Sequence, residues 1–309
     1  LALMGVSDAQ TLYPGKPITM VVPTAAGGTT DLSARMLAQA LAPVVGQSIV
    51  VDNKGGGNGN IAANMVKRAA ADGYTLLMQY SGYHVISPHV TKQKQWDLTD
   101  FQAVANVISA PQIIVVRADL PAKTLDELIA FAKANPGKLN YASSGNGSLQ
   151  HVTGAMLEQQ AGIKMVHVPY KGTGPALQDL LAGQVDLTFG TAPPFMPHIA
   201  LGKLRVLAVT SKERLSSLPQ VPTTAEAGYP KVNATSWFAV FAPVSTPKPV
   251  IDKLTADISQ VVRSSAFSQK AQEQGASAEY LNPAQLTERV NIEFKTWQSV
   301  VQSSKIEAE

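Results

Sequence analysis

The sequence predicts an α/β protein folded as two lobes around a ligand cleft, with the chain crossing between the lobes twice. Three observations carry this expectation. Apolar runs of strand length alternate with amphipathic stretches of helical spacing, joined by turns of small residues. At 309 residues the chain exceeds what one small core holds and suits two domains. After residues 237–241, Pro243, Pro247 and Pro249 open a helical C-terminal section whose apolar spacing suits a return to the first lobe. The expected boundaries are 10–110 with 237–309 for one lobe and 111–236 for the other.

The first strand is Ile18 to Val22. It runs into P-T-A-A-G-G-T-T-D at 23–31 and then an amphipathic stretch, 32–42, with Leu32, Met36, Leu37 and Leu41 on its core face. Gly27 and Gly28 lack a Cβ, so the backbone can approach a ligand closely there. Asp31, Thr29 or Thr30 can cap the helix and leave N–H groups aimed into the turn. Such a turn suits a carboxylate as well as a phosphate. A second strand at 49–51 leads through a Gly-rich segment, 52–60, to a helix from 61 to 71. No G-x-x-x-x-G-K-[ST] or G-x-G-x-x-G occurs at these turns, which argues against a nucleotide site.

The third strand, 74–78, ends in a polar and aromatic stretch, 79–84. Ligands of open α/β sheets lie beyond such strand ends. Ser81 and His84 are therefore candidate contacts, with Tyr80 or Tyr83 as floor. Residues 113–116 read as a strand, and Thr124 with Glu127 has capping-box spacing for the helix that Asn135-Pro136-Gly137 stops. Strand 139–142 enters S-S-G-N-G-S at 143–148, where Ser143, Ser144, Asn146 and Ser148 offer neutral donors ahead of a helix to about 161. Strand 165–168 enters a third glycine turn, 169–175, before a helix that Gly183 ends. Further strands fall at 185–189 and 204–210. Glycine turns in separated parts of the chain suit a cleft that holds an acidic solute from both sides.

A net charge of +3, with no Lys/Arg block or aromatic ladder, gives a nucleic-acid role little support. Absence of cysteine excludes thiol catalysis, thiolate metal sites and disulfides, but leaves the compartment open. Residues 1–9 read as the remnant of a signal peptide: Leu1 to Val6 is apolar, and Ser7 and Ala9 are small residues before a cut at Gln10. Its basic start is missing. Export is therefore expected, and no later segment approaches the roughly 18 apolar residues that span a bilayer. The five histidines form no H-E-x-x-H, S-S-G-N-G-S is not the G-x-S-x-G elbow, and no base or orienter pairs with Ser144 or Ser148. Binding, with no cofactor or metal, is expected in place of catalysis.

Several strings together resemble the periplasmic solute receptors of tripartite tricarboxylate transport systems, also called Bug receptors. They are P-T-A-A-G-G-T-T-D at 23–31, G-Q-S-I-V-V-D-N-K-G-G-G at 46–57 and A-D-G-Y-T-L-L at 71–77. A-K-A-N-P-G-K-L-N-Y-A-S-S-G at 132–145, H-V-P-Y-K-G-T-G-P-A at 167–176 and P-T-T-A-E-A-G at 222–228 complete the order over nearly the whole chain. The resemblance implies an α/β two-lobed periplasmic binding fold that closes over a small carboxylate. It implies contacts at Ala26, Gly27, Gly28 and Thr30 in one lobe and at Gly172, Thr173 and Gly174 in the other, tuned by Ser81, His84, Ser144, Asn146, Phe189 and Thr191. Asp31 matches a position that binds an amino group in amino-acid receptors, and here it can also simply cap its helix. Thr24 replaces the aromatic residue usual after the first proline.

The resemblance also implies delivery to a membrane permease or sensory partner by a monomer. The expected ligand is an aromatic dicarboxylate such as terephthalate, with Tyr80, Tyr83, Phe189 and Trp237 as candidate rings. An aliphatic di- or tricarboxylate or an acidic amino acid is the alternative. A periplasmic hydrolase or isomerase is the alternative from another class, and a protein-interaction role that leaves small acids unbound is a third.

Overall fold

A computed structural model describes residues 13–92 and 95–303; the signal-peptide reading of 1–9 lies outside them. The first lobe is built from β1 (Ile18–Val22), α1 (Thr29–Val45), β2 (Ile49–Asn53), α2 (Asn60–Lys67) and β3 (Thr75–Tyr80). Then β4 (Phe101–Arg117) carries the chain across. The second lobe holds α3 (Leu125–Ala134), β5 (Asn140–Ser143), α4 (Leu149–Ala161), β6 (Val166–Pro169) and α5 (Thr173–Leu181). It continues through β7 (Leu187–Thr191), α6 (Met196–Ala200) and β8 (Leu204–Val209). The chain returns on β9 (Thr235–Pro243) to α7 (Lys248–Val262), α8 (Ser265–Glu273), β10 (Ser277–Leu281) and α9 (Pro283–Ser303).

β4 explains how one chain makes two lobes. Its first part, Phe101–Pro111, pairs antiparallel with β9, and β10 joins its other edge. From Gln112 onward it pairs antiparallel with β7 and β8. Pro111 has no N–H to donate, and it sits where β4 exchanges one set of partners for the other. β1 lies parallel between β2 and β3 in the first sheet, and β5 lies parallel between β6 and β7 in the second. The apolar run of 113–116 thus proved to be the end of a 17-residue strand. Its first part is too mixed in composition to announce itself.

The burial pattern follows the period of each element. Ile113 and Val115 face one core of the second lobe, with Leu177 and Phe195, while Ile114 and Val116 face the other, with Leu128 and Phe189. In the first lobe Leu37, Leu41, Leu77 and Val240 share a core with Leu254, Ile258 and Leu286 from the C-terminal helices. The C-terminal helices pack on the core of β1, β3 and α1. Thr124 caps α3, accepting from the Glu127 N–H at 3.2 Å, as the sequence spacing predicted. β10 and α6 went unread because each is five residues long, with little apolar periodicity.

Candidate functional site

Three helices begin at the cleft. The chain leaves β1, turns through Pro23–Gly28 and enters α1 with Gly28 as an extended N-cap that offers no side chain. Gly27 takes a left-handed φ of +84°, which a residue with a Cβ adopts only with strain. Asp31 settles the capping question. Its Oδ2 accepts from the Gly27 N–H at 2.9 Å and its Oδ1 lies 3.0 Å from Arg35. The carboxylate therefore serves its own helix, which leaves Thr29 and Thr30 to face the cleft.

The opposing turn places Gly172, at φ +131°, ahead of α5, again without a side-chain cap. The two turns touch: the Ala25 N–H donates to the Lys171 carbonyl at 3.0 Å, and the Thr191 hydroxyl donates to the Thr29 hydroxyl at 2.6 Å. Gly174 packs so closely that a Cβ there would stand 2.1 Å from the Ala26 carbonyl oxygen. At α4, Ser148 caps by accepting from the His151 N–H, and the Leu149 N–H donates to the Tyr80 hydroxyl at 2.9 Å. Tyr83 donates to the Ser144 carbonyl. The lobes are closed on each other.

Between them lies a narrow cavity of about 10 Å³, room for about one water molecule. The first lobe contributes Thr24, Gly28, Thr29, Thr30 and Tyr80, and the second Ser144, Gln150, Thr173 and Thr191. Gln112, Ser236 and Phe238 on the crossing strands close it. No Lys, Arg, Asp, Glu or His lines this cavity. Burial pushes the Tyr80 hydroxyl well above the ordinary tyrosine range, so it stays a neutral donor. Gln150 knits the second lobe's wall, donating to Thr173 Oγ1 at 2.9 Å and accepting from the Ser144 N–H at 3.0 Å. Each helix N-terminus carries a partial charge of about +0.5. Three of them at one cavity offset most of the charge of a dicarboxylate without a buried cation.

Of the residues expected at the site, Thr24, Gly28, Thr30, Ser144, Thr173 and Thr191 stand in this wall. Ala26 and Gly27 form its exposed rim, and Gly172 and Gly174 form the contact between lobes. Asn146 lines an outer vestibule of about 430 Å³ that shares Ser144 with the cavity. Asp31, as described, is outside the wall.

Ser81, His84 and Phe189 are also elsewhere. The stretch after β3 is a buried helical turn and not an exposed loop, so Ser81 accepts from the Trp237 N–H and His84 is enclosed by rings. His84 stacks on Trp96 at 5.5 Å and lies 4.3 Å from Phe241, and burial lowers its pKa to about 3. Phe189 packs edge-on against Tyr141 in the second lobe's core. Thr29 joins the wall as well as opening α1, and Gln112, Gln150, Ser236 and Phe238 line it without a strong motif to mark them. Gln112 and Ser236 each precede an apolar run, a faint signal that a polar side chain is wanted at a strand's inner end. A larger groove of about 840 Å³ lies along α9, lined by none of the glycine turns.

The fold and this cleft define a two-lobed solute-binding protein. Residues 33–306 match the model of the tripartite tricarboxylate transporter family receptor, and the chain belongs to that family. It is 36% identical to Protein BugT of Bordetella pertussis over 94% of this chain and 90% of BugT. A solved structure of R. palustris Rpa4515 with adipate has a TM-score of 0.94 and 35% identity, covering 96% of this chain and 100% of that one. MatC (Rpa3494) from Rhodopseudomonas palustris with bound malate has a TM-score of 0.88 and 32% identity, covering 94% and 100%. The chain is thus a solute receptor and not an enzyme, in a family of periplasmic receptors. Among the described residues no helix is long and apolar enough to cross a membrane.

Proposed function

We propose that this chain is an extracytoplasmic receptor that closes over a small dicarboxylate and delivers it, as a monomer, to a tripartite tricarboxylate-type membrane transporter. One observation carries the reading: three helix N-termini meet at a cavity walled by hydroxyls, amides and backbone N–H groups, with no charged side chain. Neutral donors hold an anion there, and exclusion of water by closure strengthens each bond. The lobes are assigned as 10–110 with 237–309 and 111–236, a division supported by the separate cores on either side of Pro111.

The geometry supports an aliphatic diacid ahead of terephthalate. A flat ring needs facing aromatic walls. Tyr80 and Phe238 stack on each other at 5.7 Å and 21°, Phe189 and Trp237 lie in the cores, and Tyr83 lines only the vestibule. Adipate and malate in the two solved relatives support the same class. Native mass spectrometry of gently purified protein, then calorimetric titration with C4–C6 diacids, terephthalate and glutamate, tests it. Binding of an aliphatic diacid, with contraction of the small-angle scattering profile, is expected. Tighter binding of terephthalate would reverse the ligand assignment, and an unchanged profile at saturation would overturn closure.

A further inference from the structure

Two polar atoms in the cavity wall have no partner. Gln112 is 1% exposed and Thr24 is 4% exposed. The Gln112 amide donates from Nε2 to Ser236 Oγ at 2.7 Å, which leaves its buried Oε1 unpartnered, and Thr24 Oγ1 is likewise unpartnered. The backbone under Gln112 is held firmly. Its N–H donates to the Ala234 carbonyl at 3.0 Å, and its carbonyl accepts from the Thr210 N–H at 2.9 Å and hydroxyl at 3.0 Å. The side chain is thus fixed at the crossing strands, presenting an acceptor to a cavity otherwise furnished with donors.

Carboxylates only accept hydrogen bonds, so neither end of a plain diacid satisfies that amide oxygen. An ammonium would satisfy it, but the cavity holds no carboxylate to pair with a buried cation, since Asp31 is engaged by Gly27 and Arg35. A neutral hydroxyl meets both conditions: it donates to Gln112 Oε1 and brings no charge that needs a buried counter-ion. Resting on the receptor reading above, we propose that Gln112, clamped by Ser236, is a specificity-determining residue that selects a hydroxy-dicarboxylate over the unsubstituted diacid of the same length. Ser236 holds the amide with Oε1 free, accepting from its Nε2 at 2.7 Å, and that hold is lost without the hydroxyl. Because both residues sit on the strands that join the lobes, the hydroxyl is read at the place that moves least during closure.

The test titrates the full chain calorimetrically with two matched pairs, L-malate against succinate and 3-hydroxyadipate against adipate. In the pair of the length that binds, the hydroxy acid is expected to bind about tenfold or more tightly. Gln112→Met, which keeps the shape and removes the acceptor, should bring the hydroxy acid to within about threefold of the plain acid. Ser236→Ala, a smaller change, should narrow the preference by the other route. Equal affinities in the wild type, or an equal loss for both acids in Gln112→Met, would overturn the selection and leave the receptor reading standing. Failure of either pair to bind at any length would overturn the dicarboxylate reading and this inference together.

Discussion

Gly174→Ala isolates closure from folding. Gly174 is the second residue of α5 and has no left-handed φ, so alanine is compatible with its backbone and favours the helix by up to about 1 kcal/mol. The new methyl would stand 2.1 Å from the Ala26 carbonyl oxygen, where ordinary contact begins at 3.4 Å. The two turns must therefore part by about 1.3 Å, the difference of those distances. Separation on that scale breaks the bond from Ala25 to Lys171, now 3.0 Å, and stretches that from Thr191 to Thr29, now 2.6 Å. Each is worth about 1 kcal/mol net, and one charge-assisted bond from the second lobe to the ligand adds about 1.5–3 kcal/mol. The sum, about 3.5–5 kcal/mol, corresponds to a Kd weakened by roughly several hundredfold to several thousandfold. Calorimetry reads the affinity, thermal melting of the ligand-free protein should show no loss, and scattering should show no contraction with ligand. Affinity within about threefold of wild type would mean that the exposed rim at Ala26 yields to the methyl, and the closure argument would fail.

Tyr80→Phe removes the acceptor of the buried Leu149 N–H, so ligand affinity should fall by about 1–3 kcal/mol in calorimetry; no change would show that the bond adds nothing to closure. Acid should destabilise the fold. Burial lowers His84 to about 3, His151 to about 4 and His167 to about 3, below the ordinary 6.5. The unfolded chain therefore binds more protons once pH drops below 6.5, and stability declines from there toward the folded values; the fully buried His84 alone accounts for about 2 kcal/mol at pH 5. His151 and His167 stack at 3.8 Å, with His151 accepting from the Gly147 N–H and His167 bonded to Ser143, so the loop carrying Ser144 should loosen in the same range. Melting from pH 7.5 to 5 measures the decline, and a flat profile would count against it. His84→Leu should flatten that profile while leaving Kd at pH 7.5 within about twofold, because His84 stands outside the cavity; a larger loss of affinity would return His84 to the site.

Much of the site was legible because its chemistry is local. Thr24, Gly28 and Thr30 belong to one strand–turn–helix unit, and Thr173 belongs to another; small residues ahead of an amphipathic stretch announce free N–H groups wherever they occur. His84 misled for an equally local reason. A polar residue at a strand end looks exposed, and only the rings of Trp96 and Phe241, brought from elsewhere in the chain, bury it.

The sequence by itself determined the alternation of strands and helices, the glycine turns and the capping of α3 by Thr124. These rest on hydrophobic periodicity and on residue chemistry within a few positions. The tertiary structure alone decided which turn faces which, and that Asp31 turns away while Thr29 turns in. It also joined Gln112 to Ser236 across 124 residues on the two strands that cross between lobes. Contacts of that kind depend on strand register and lobe closure, which no local pattern of residues encodes.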